Sequence, residues 1–235
     1  MDRTAPQSHS AVETLCHEVR GAIAPLANWR RLLHSQAIKP EDLGALANVL
    51  DRAVLVLSRL ANDLARLEST ADSEASLTVE ALDLREVVSS VAKIVAPEAE
   101  QKDVALRVQL PPEPVPMFGD FVRLTQVVAN LLDNALKFTE GRGRVSVELR
   151  YEGGAAQLVV SDTGIGIAHE FLPLAFDEFA REDRRGGGVP GHGIGLHLVQ
   201  DIVALHGGTV MAESPGPGCG SRFTVVLPVT VPRAA

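Results

Sequence analysis

Gln126-Val-Val-Ala-Asn130-Leu-Leu-Asp-Asn134-Ala-Leu-Lys137-Phe138 is the stretch on which the fold turns. Residues three and four apart are neighbours on a helix, so Asn130, Asn134 and Lys137 share one face while Val127, Leu131 and Leu132 can face a core. Two amides and an amine then point the same way. An amide oxygen is a suitable hard ligand for Mg2+, which takes few protein groups besides water and substrate phosphates, and an ammonium is a good phosphate partner. A polar helix face is more often simply solvated, so the surrounding sequence has to decide between the two.

Around this helix, the chain beyond residue 82 mixes two periodicities. Residues 144–151 alternate Val145, Val147, Leu149 and Tyr151 with polar neighbours, as a half-buried strand does, and residues 157–161 and 223–227 read as further strands. Helices are expected over residues 85–101, 120–138 and 194–206. Repeats and low-complexity tracts are absent, so residues 81–235 are expected to form a single α/β domain.

The upstream region has a different pattern. Val12, Leu15, Val19, Ala22, Leu26, Trp29 and Leu33 recur in steps of three and four, the seam of a helix packed in a bundle. Leu43, Leu46, Leu50, Ala53, Leu57, Leu60, Leu64 and Leu67 repeat it, and Ile38-Lys39-Pro40-Glu41-Asp42 between them carries a helix stop and a new start. Residues 1–69 therefore read as an α-helical hairpin, joined to the second domain by a Ser-, Thr- and acid-rich linker at 70–80. Two such helices cannot hide their seams from water alone. A homodimer that completes a four-helix bundle is the economical solution, the alternative being a hairpin folded against the second domain.

Composition narrows the function classes. The chain has 235 residues and a formal net charge of -8, which argues against nucleic-acid binding, since neutralising phosphates needs clustered Lys and Arg. Aromatic residues are only 4%, too few for base-stacking platforms. Apolar runs stay well short of the roughly eighteen residues of a spanning helix, and the first ten residues lack the basic and apolar regions of a signal peptide. No direct membrane insertion and a cytoplasmic location are the expectations. Cys16 and Cys219 belong to no Cys-x-x-Cys pair, so neither a zinc site nor a disulfide framework is indicated.

Two glycine-bearing segments suggest a ligand site. Asp162-Thr163-Gly164-Ile165-Gly166 follows the 157–161 strand, placing a carboxylate at a strand end beside glycines that permit close backbone approach. Such an aspartate can accept a hydrogen bond from the amino group of adenine, although a plain tight turn is the other reading. Gly191-His192-Gly193-Ile194-Gly195-Leu196 opens the next helix, where free N–H groups and the positive helix end can cradle phosphates. It is not the Gly-x-Gly-x-x-Gly dinucleotide fingerprint. Just upstream, Arg184, Arg185 and the run Gly186-Gly187-Gly188 suggest a flexible cationic loop, a candidate lid.

The order of these elements is harder to obtain by accident than any one of them. Asn130-Leu-Leu-Asp-Asn134-Ala-Leu-Lys137-Phe-Thr, Asp162-Thr-Gly-Ile-Gly166, Phe176-Asp-Glu-Phe179 and Gly191-His-Gly-Ile-Gly195-Leu resemble the asparagine, first glycine, phenylalanine and second glycine boxes of two-component sensor histidine kinases. Met117-Phe-Gly-Asp120, His206-Gly-Gly208 and Gly220-Ser-Arg-Phe223 are similar to that family as well. The resemblance implies the ATP-binding fold shared with gyrase, mismatch-repair and heat-shock chaperone ATPases, an α/β sandwich whose mixed sheet is covered on one face by helices. It implies ATP and Mg2+, with Asn134 holding the metal, Asp162 reading adenine, Lys137 contacting phosphate, and Gly164, Gly166, Gly191, Gly193, Gly195 and Leu196 lining the lid and phosphate sites with Arg184 and Arg185. In the ATPase relatives a water-activating glutamate commonly stands where this chain has Asn130. An amide cannot act as that base, which favours transfer to a side chain over hydrolysis.

Cys16-His17-Glu18-Val19-Arg20 resembles the family's His-Glu-x-Arg phosphoacceptor box. With Val12 and Leu15 at seam positions a and d, His17 falls at the outermost position of its helix and is expected to be exposed. A histidine at its ordinary pKa of about 6.5 is substantially neutral at physiological pH and offers a lone pair to a γ-phosphate. Glu18 is the candidate to take or share the ring proton. The box departs from the family pattern at Gly21 and Ala22, which replace the usual Thr or Asn and Pro, while Pro25 should still kink the helix. The reading is a kinase core that autophosphorylates His17 from Mg-ATP and passes the phosphoryl group to an aspartate of a response-regulator receiver domain. The alternatives are a histidine phosphotransfer protein that has lost ATP binding, and a Mg-ATPase of the same fold.

Overall fold

The computed structural model describes residues 77–177, 180 and 195–229 and, upstream, residues 23–24, 26–31, 46, 49–50 and 53. The chain divides into two compact units, Met1–Glu74 and Ala75–Ala235. In the first, the described residues are helical, and the rest of the expected hairpin, His17 and Glu18 included, lies outside the described residues.

The second unit runs β1 (Glu80–Asp83), α1 (Leu84–Gln101), β2 (Ala105–Gln109), β3 (Pro116–Gly119), α2 (Phe121–Phe138), β4 (Arg144–Glu152), β5 (Ala155–Asp162), a 3-10 turn at Leu172–Leu174, α3 (Gly195–Leu205), β6 (Thr209–Glu213) and β7 (Arg222–Pro228). Five strands form one sheet in the order β2-β4-β5-β7-β6. β2 runs parallel to β4 and the other pairings are antiparallel, so the sheet is mixed, as the family resemblance implies. β1 and β3 pair antiparallel as a separate two-stranded ribbon. The three helices expected from periodicity and the strands expected at 144–151, 157–161 and 223–227 are present, whereas β1, β2, β3 and β6 go beyond the sequence expectation.

The period-two alternation explains how the layers form. Val145, Val147 and Leu149 of β4, Ala156, Leu158 and Val160 of β5, and Phe223, Val225 and Leu227 of β7 are all buried. Register aligns them, Val147 opposite Val160 and Val160 opposite Phe223, so they form one apolar face. The apolar stripes of the helices are buried too: Val87, Val88, Val91 and Val95 on α1, Leu124, Val127, Val128, Leu131 and Leu132 on α2, and Leu198, Val199, Ile202 and Val203 on α3. Each helix packs on the sheet or its neighbours, giving a two-layer α/β sandwich.

Carboxylates set the helix starts. Asp83 caps α1, its Oδ1 accepting from the N–H of Arg85 at 3.0 Å and of Val115 at 3.0 Å. Asp120 caps α2 through the Arg123 N–H at 3.0 Å, and its other oxygen accepts the Thr78 N–H at 2.9 Å. The Asp120 N–H in turn donates to His206 Nε2 at 3.0 Å, which leaves Nδ1 as the donor to the Ile202 carbonyl at 2.7 Å. A Cβ at Gly119 would lie 3.2 Å from the His206 ring, so Gly119 makes room for this contact. The two family-like segments Met117–Asp120 and His206–Gly208 are thus one structural feature, a latch between the start of α2 and the end of α3.

Candidate functional site

Three segments meet at the end of β5. Asp162, its last residue, is half-buried and held from several directions. Oδ1 accepts the Gly164 N–H at 2.7 Å and the Ser221 N–H at 3.3 Å, and Oδ2 accepts the Ser221 hydroxyl. A carboxylate offers about four lone-pair positions, so three donors fix its plane and leave one acceptor position for a ligand. Acceptor-only chemistry at a fixed orientation suits an amino donor such as the one on adenine.

Glycine is required where the backbones touch. A Cβ at Gly164 would lie 2.1 Å from the Phe138 carbonyl oxygen, and one at Gly220 would lie 2.1 Å from the Asp162 carbonyl oxygen. Gly166 has φ +67°, and a Cβ there would meet the Gly216 carbonyl oxygen at 2.1 Å. Hydrogen bonds knit the same segments: Ile165 N–H to Phe138 O at 3.0 Å, Gly218 N–H to Ile165 O at 2.7 Å, and Gly220 N–H to Gly164 O at 3.1 Å. Buried Ser214 adds a hub, its hydroxyl donating to Gly220 O at 2.7 Å and accepting the Ile167 N–H at 3.0 Å.

On α2, Asn130 is 8% exposed and its amide nitrogen donates to the Gln126 carbonyl at 2.8 Å. Its Oδ1 lies 2.9 Å from where a Cβ of Gly195 would stand, so the structure brings Asn130 against the first residue of α3, and a larger residue there would have to displace the Asn130 amide. Asn134, one turn on, is half-buried, as is Lys137, whose Nζ lies 4.9 Å from the centroid of the Phe138 ring. Leu196 follows Gly195 and is half-buried. The Asp162–Gly166 segment is tied to the end of α2, because the Phe138 carbonyl accepts the Ile165 N–H. Arg184, Arg185, Gly191 and Gly193 lie outside the described residues.

Ser221, Ser214 and His197 complete the surroundings, and sequence reasoning assigned none of them a role. Gly220-Ser-Arg-Phe223 marked the neighbourhood of Ser221 only through its family likeness. His197 Nδ1 lies 2.9 Å from the Phe176 carbonyl and Nε2 lies 3.7 Å from an Asp201 carboxylate oxygen.

Residues 119–231 match the family of histidine kinase-, DNA gyrase B- and HSP90-like ATPases. A solved mycobacterial sensor histidine kinase, MprB, is 32% identical, covering 64% of this chain and 97% of its own, with a TM-score of 0.55. The chain belongs to the histidine kinase family. Among curated relatives, sensor histidine kinase Hik2 of Thermosynechococcus vestitus is 29% identical over 231 residues, covering 94% of this chain but 59% of the relative. Full-length ShkA, solved in complex with AMPPNP, is 27% identical and covers 94% of this chain and 47% of its own, with a TM-score of 0.62. This family member therefore spans only part of the length of such relatives.

The residues present fit a nucleotide and a magnesium ion. Asp162 is an oriented acceptor, and Gly195 opens α3 against Asn130 with no side chain to block approach. Among the described residues there is no group of three His, Cys, Asp or Glu that could hold a metal. The amide oxygen of half-buried Asn134 is a donor of the kind that Mg2+ accepts when phosphates and water supply the rest. No helix among the described residues is long and apolar enough to cross a membrane.

Proposed function

We propose that this chain is a cytoplasmic ATP-dependent protein-histidine kinase core that phosphorylates its own His17 and passes the phosphoryl group to a response-regulator aspartate. The observation that carries the reading is the Asp162 carboxylate, fixed by Gly164 and Ser221 at the end of β5, in a member of the histidine kinase family. The nucleotide analogue bound by ShkA supports the same use of this fold.

In this reading Asp162 accepts from the adenine amino group, Lys137 contacts phosphate, and Gly164, Gly166, Gly191, Gly193, Gly195 and Leu196 line the nucleotide with Arg184 and Arg185. Asn134 would hold Mg2+, which would supply charge neutralisation along the phosphates. The neutral imidazole of His17 attacks the γ-phosphorus; a P–N bond forms, the bond to the β,γ-bridging oxygen breaks, and ADP leaves. Glu18 takes the ring proton. Asn130, an amide where a base would activate water, directs transfer to the side chain rather than to solvent. A carboxylate oxygen of the receiver aspartate then attacks the phosphorus of the phosphohistidine; an O–P bond forms, the P–N bond breaks, and the imidazole leaves and takes back a proton.

Residues 1–69 are proposed as the dimerising and phosphoacceptor hairpin, 70–80 as linker and 81–235 as the catalytic domain. Leu50, on the second expected seam, is 47% exposed in the single chain, and a second copy would cover it.

The test is to incubate the chain with γ-labelled ATP and Mg2+ and map the labelled residue. Acid-labile label on His17, lost in His17→Ala while nucleotide binding persists, is the expected result. Steady hydrolysis without phosphohistidine would favour an ATPase instead, and absence of nucleotide binding would favour a phosphotransfer protein.

A further inference from the structure

The α3 helix begins Gly195-Leu196-His197, and His197 connects that first turn to a distant part of the chain. Its Nδ1 lies 2.9 Å from the carbonyl oxygen of Phe176, a residue 21 positions earlier. A carbonyl can only accept, so Nδ1 carries the proton. Nε2 faces Asp201, one turn along α3, at 3.7 Å. His197 is half-buried, its side chain 27% exposed.

Phe176 is pinned a second time. Its ring meets the ring of Phe223 edge-on, with centroids 6.3 Å apart. Phe223 is buried in β7, two residues beyond Ser221, whose N–H and hydroxyl hold Asp162. At the other end of the connection, Gly195 lies against Asn130 of α2. One continuous set of contacts therefore runs from the Asp162 carboxylate, through β7 and Phe176, to His197 and the start of α3 beside Asn130. The bond from His197 ties together the two parts of the chain that the proposed function assigns to adenine and to phosphate.

We infer that His197 is a positioning residue of the nucleotide site, its Nδ1–H holding the Phe176 carbonyl so that the adenine and phosphate ends stand at the separation one ATP molecule spans. Fixing both ends before binding removes an ordering cost that binding would otherwise bear, so the bond should appear as affinity. The claim rests on the nucleotide-binding reading above and extends it to a residue outside the expected boxes.

The test uses the full chain and two substitutions. His197→Ala removes the donor, while His197→Asn keeps an N–H at about the place of Nδ1. Titration with Mg-ATP should show about tenfold weaker binding for His197→Ala and near-wild-type binding for His197→Asn, the effect of one hydrogen bond lost and restored. Nitrogen-15 spectra of the imidazoles, recorded without nucleotide, should show His197 protonated at Nδ1. Equal weakening in both variants would mean a packing role and overturn the inference, as would a His197→Ala chain that melts and binds like wild type. A wild-type chain that binds no ATP would overturn the functional reading together with the affinity claim. In that case the imidazole spectrum alone would still decide whether the bond to Phe176 exists, and an Nε2–H tautomer would refute it.

Discussion

Replacing Asp162 by asparagine separates recognition from folding. The amide side chain can keep its oxygen toward the Gly164 and Ser221 N–H groups, which donate to Oδ1 at 2.7 and 3.3 Å in the wild type. Its nitrogen then takes the place of Oδ2 and donates to the Ser221 hydroxyl, which can rotate to accept. The Gly164 and Ser221 N–H groups keep their acceptor and only the Ser221 hydroxyl hydrogen has to turn elsewhere, so stability should change by about 1 kcal/mol. The ligand sees the opposite of the wild-type surface, because an N–H now faces the amino group of adenine. Losing a hydrogen bond to a charged acceptor removes about 1.5–3 kcal/mol, and setting donor against donor adds roughly 1–3 kcal/mol of desolvation. The sum corresponds to ATP binding weakened by about a hundredfold or more. Inosine triphosphate carries an oxygen where adenine carries the amino group, so Asp162→Asn should bind it better than it binds ATP. Calorimetric titration of both nucleotides into both proteins, with thermal melts of each, gives the four affinities and two stabilities. Unchanged preference for ATP in a folded Asp162→Asn variant would refute the assignment of Asp162 to the base.

Other consequences can be checked separately. Gly164→Ala should destabilise the domain by about 3 kcal/mol, since its Cβ would meet the Phe138 carbonyl oxygen at 2.1 Å and backbone must move; chemical denaturation reads the loss. Asp83 should add an acid-sensitive increment of stability. Burial pushes its carboxyl up, but the Arg85 guanidinium and the N–H groups of Val115 and Arg85 together hold it below its ordinary value. A carboxyl depressed by folding stabilises fully above its unfolded pKa of about 4 and less as pH falls through the folded value, so the gap between wild type and Asp83→Asn should shrink from pH 7 to pH 3. Leu57→Glu should weaken self-association by placing a charge in the proposed bundle, and a wild-type monomer at micromolar concentration in sedimentation would rule the bundle out. The resemblance implies that the Thr or Asn usual at the position of Gly21 orients the water that attacks phospho-aspartate, so under the proposed function the chain should dephosphorylate a phosphorylated regulator poorly and Gly21→Thr should speed phosphate release in the presence of ADP.

The sequence was most legible where local periodicity and burial coincide. α2 reads directly because its apolar stripe is continuous from Leu124 to Leu136, and β4 because Val145, Val147 and Leu149 alternate with polar neighbours, although Tyr151, expected to continue the pattern, is exposed. β2 lies at the sheet edge with four of its five residues exposed, so it lacks the alternation that marks a half-buried strand. β1 and β3 are four residues each and are defined by pairing with one another, from Glu80 to Gly119, which no local window contains. Asp162 was legible as a carboxylate at a strand end, but the donors that make it a fixed acceptor were not. Ser221 reaches it across 59 positions, Ser214 reaches Ile167 across 47, and His206 reaches Asp120 across 86. Serine and histidine are common surface residues, and only tertiary proximity gives these three a task. Gly195 was read as a phosphate-site glycine on likeness, whereas the structure gives it a steric reason, the nearness of Asn130.

The interlocked backbones around Asp162 also predict how this part of the molecule exchanges its protons with solvent. The amide protons of Asp162, Ile165, Gly218 and Gly220 all end on carbonyl oxygens of neighbouring segments, and those of Gly164 and Ile167 end on Asp162 and Ser214. Opening any one of them requires three stretches of chain to part together, so they should exchange with deuterium as a single slow group, at a rate set by unfolding of the sheet rather than by local fraying. That behaviour would mark the proposed adenine end as a floor already organised before a nucleotide arrives, with the ordering cost of that half of the site met during folding and not at each binding event.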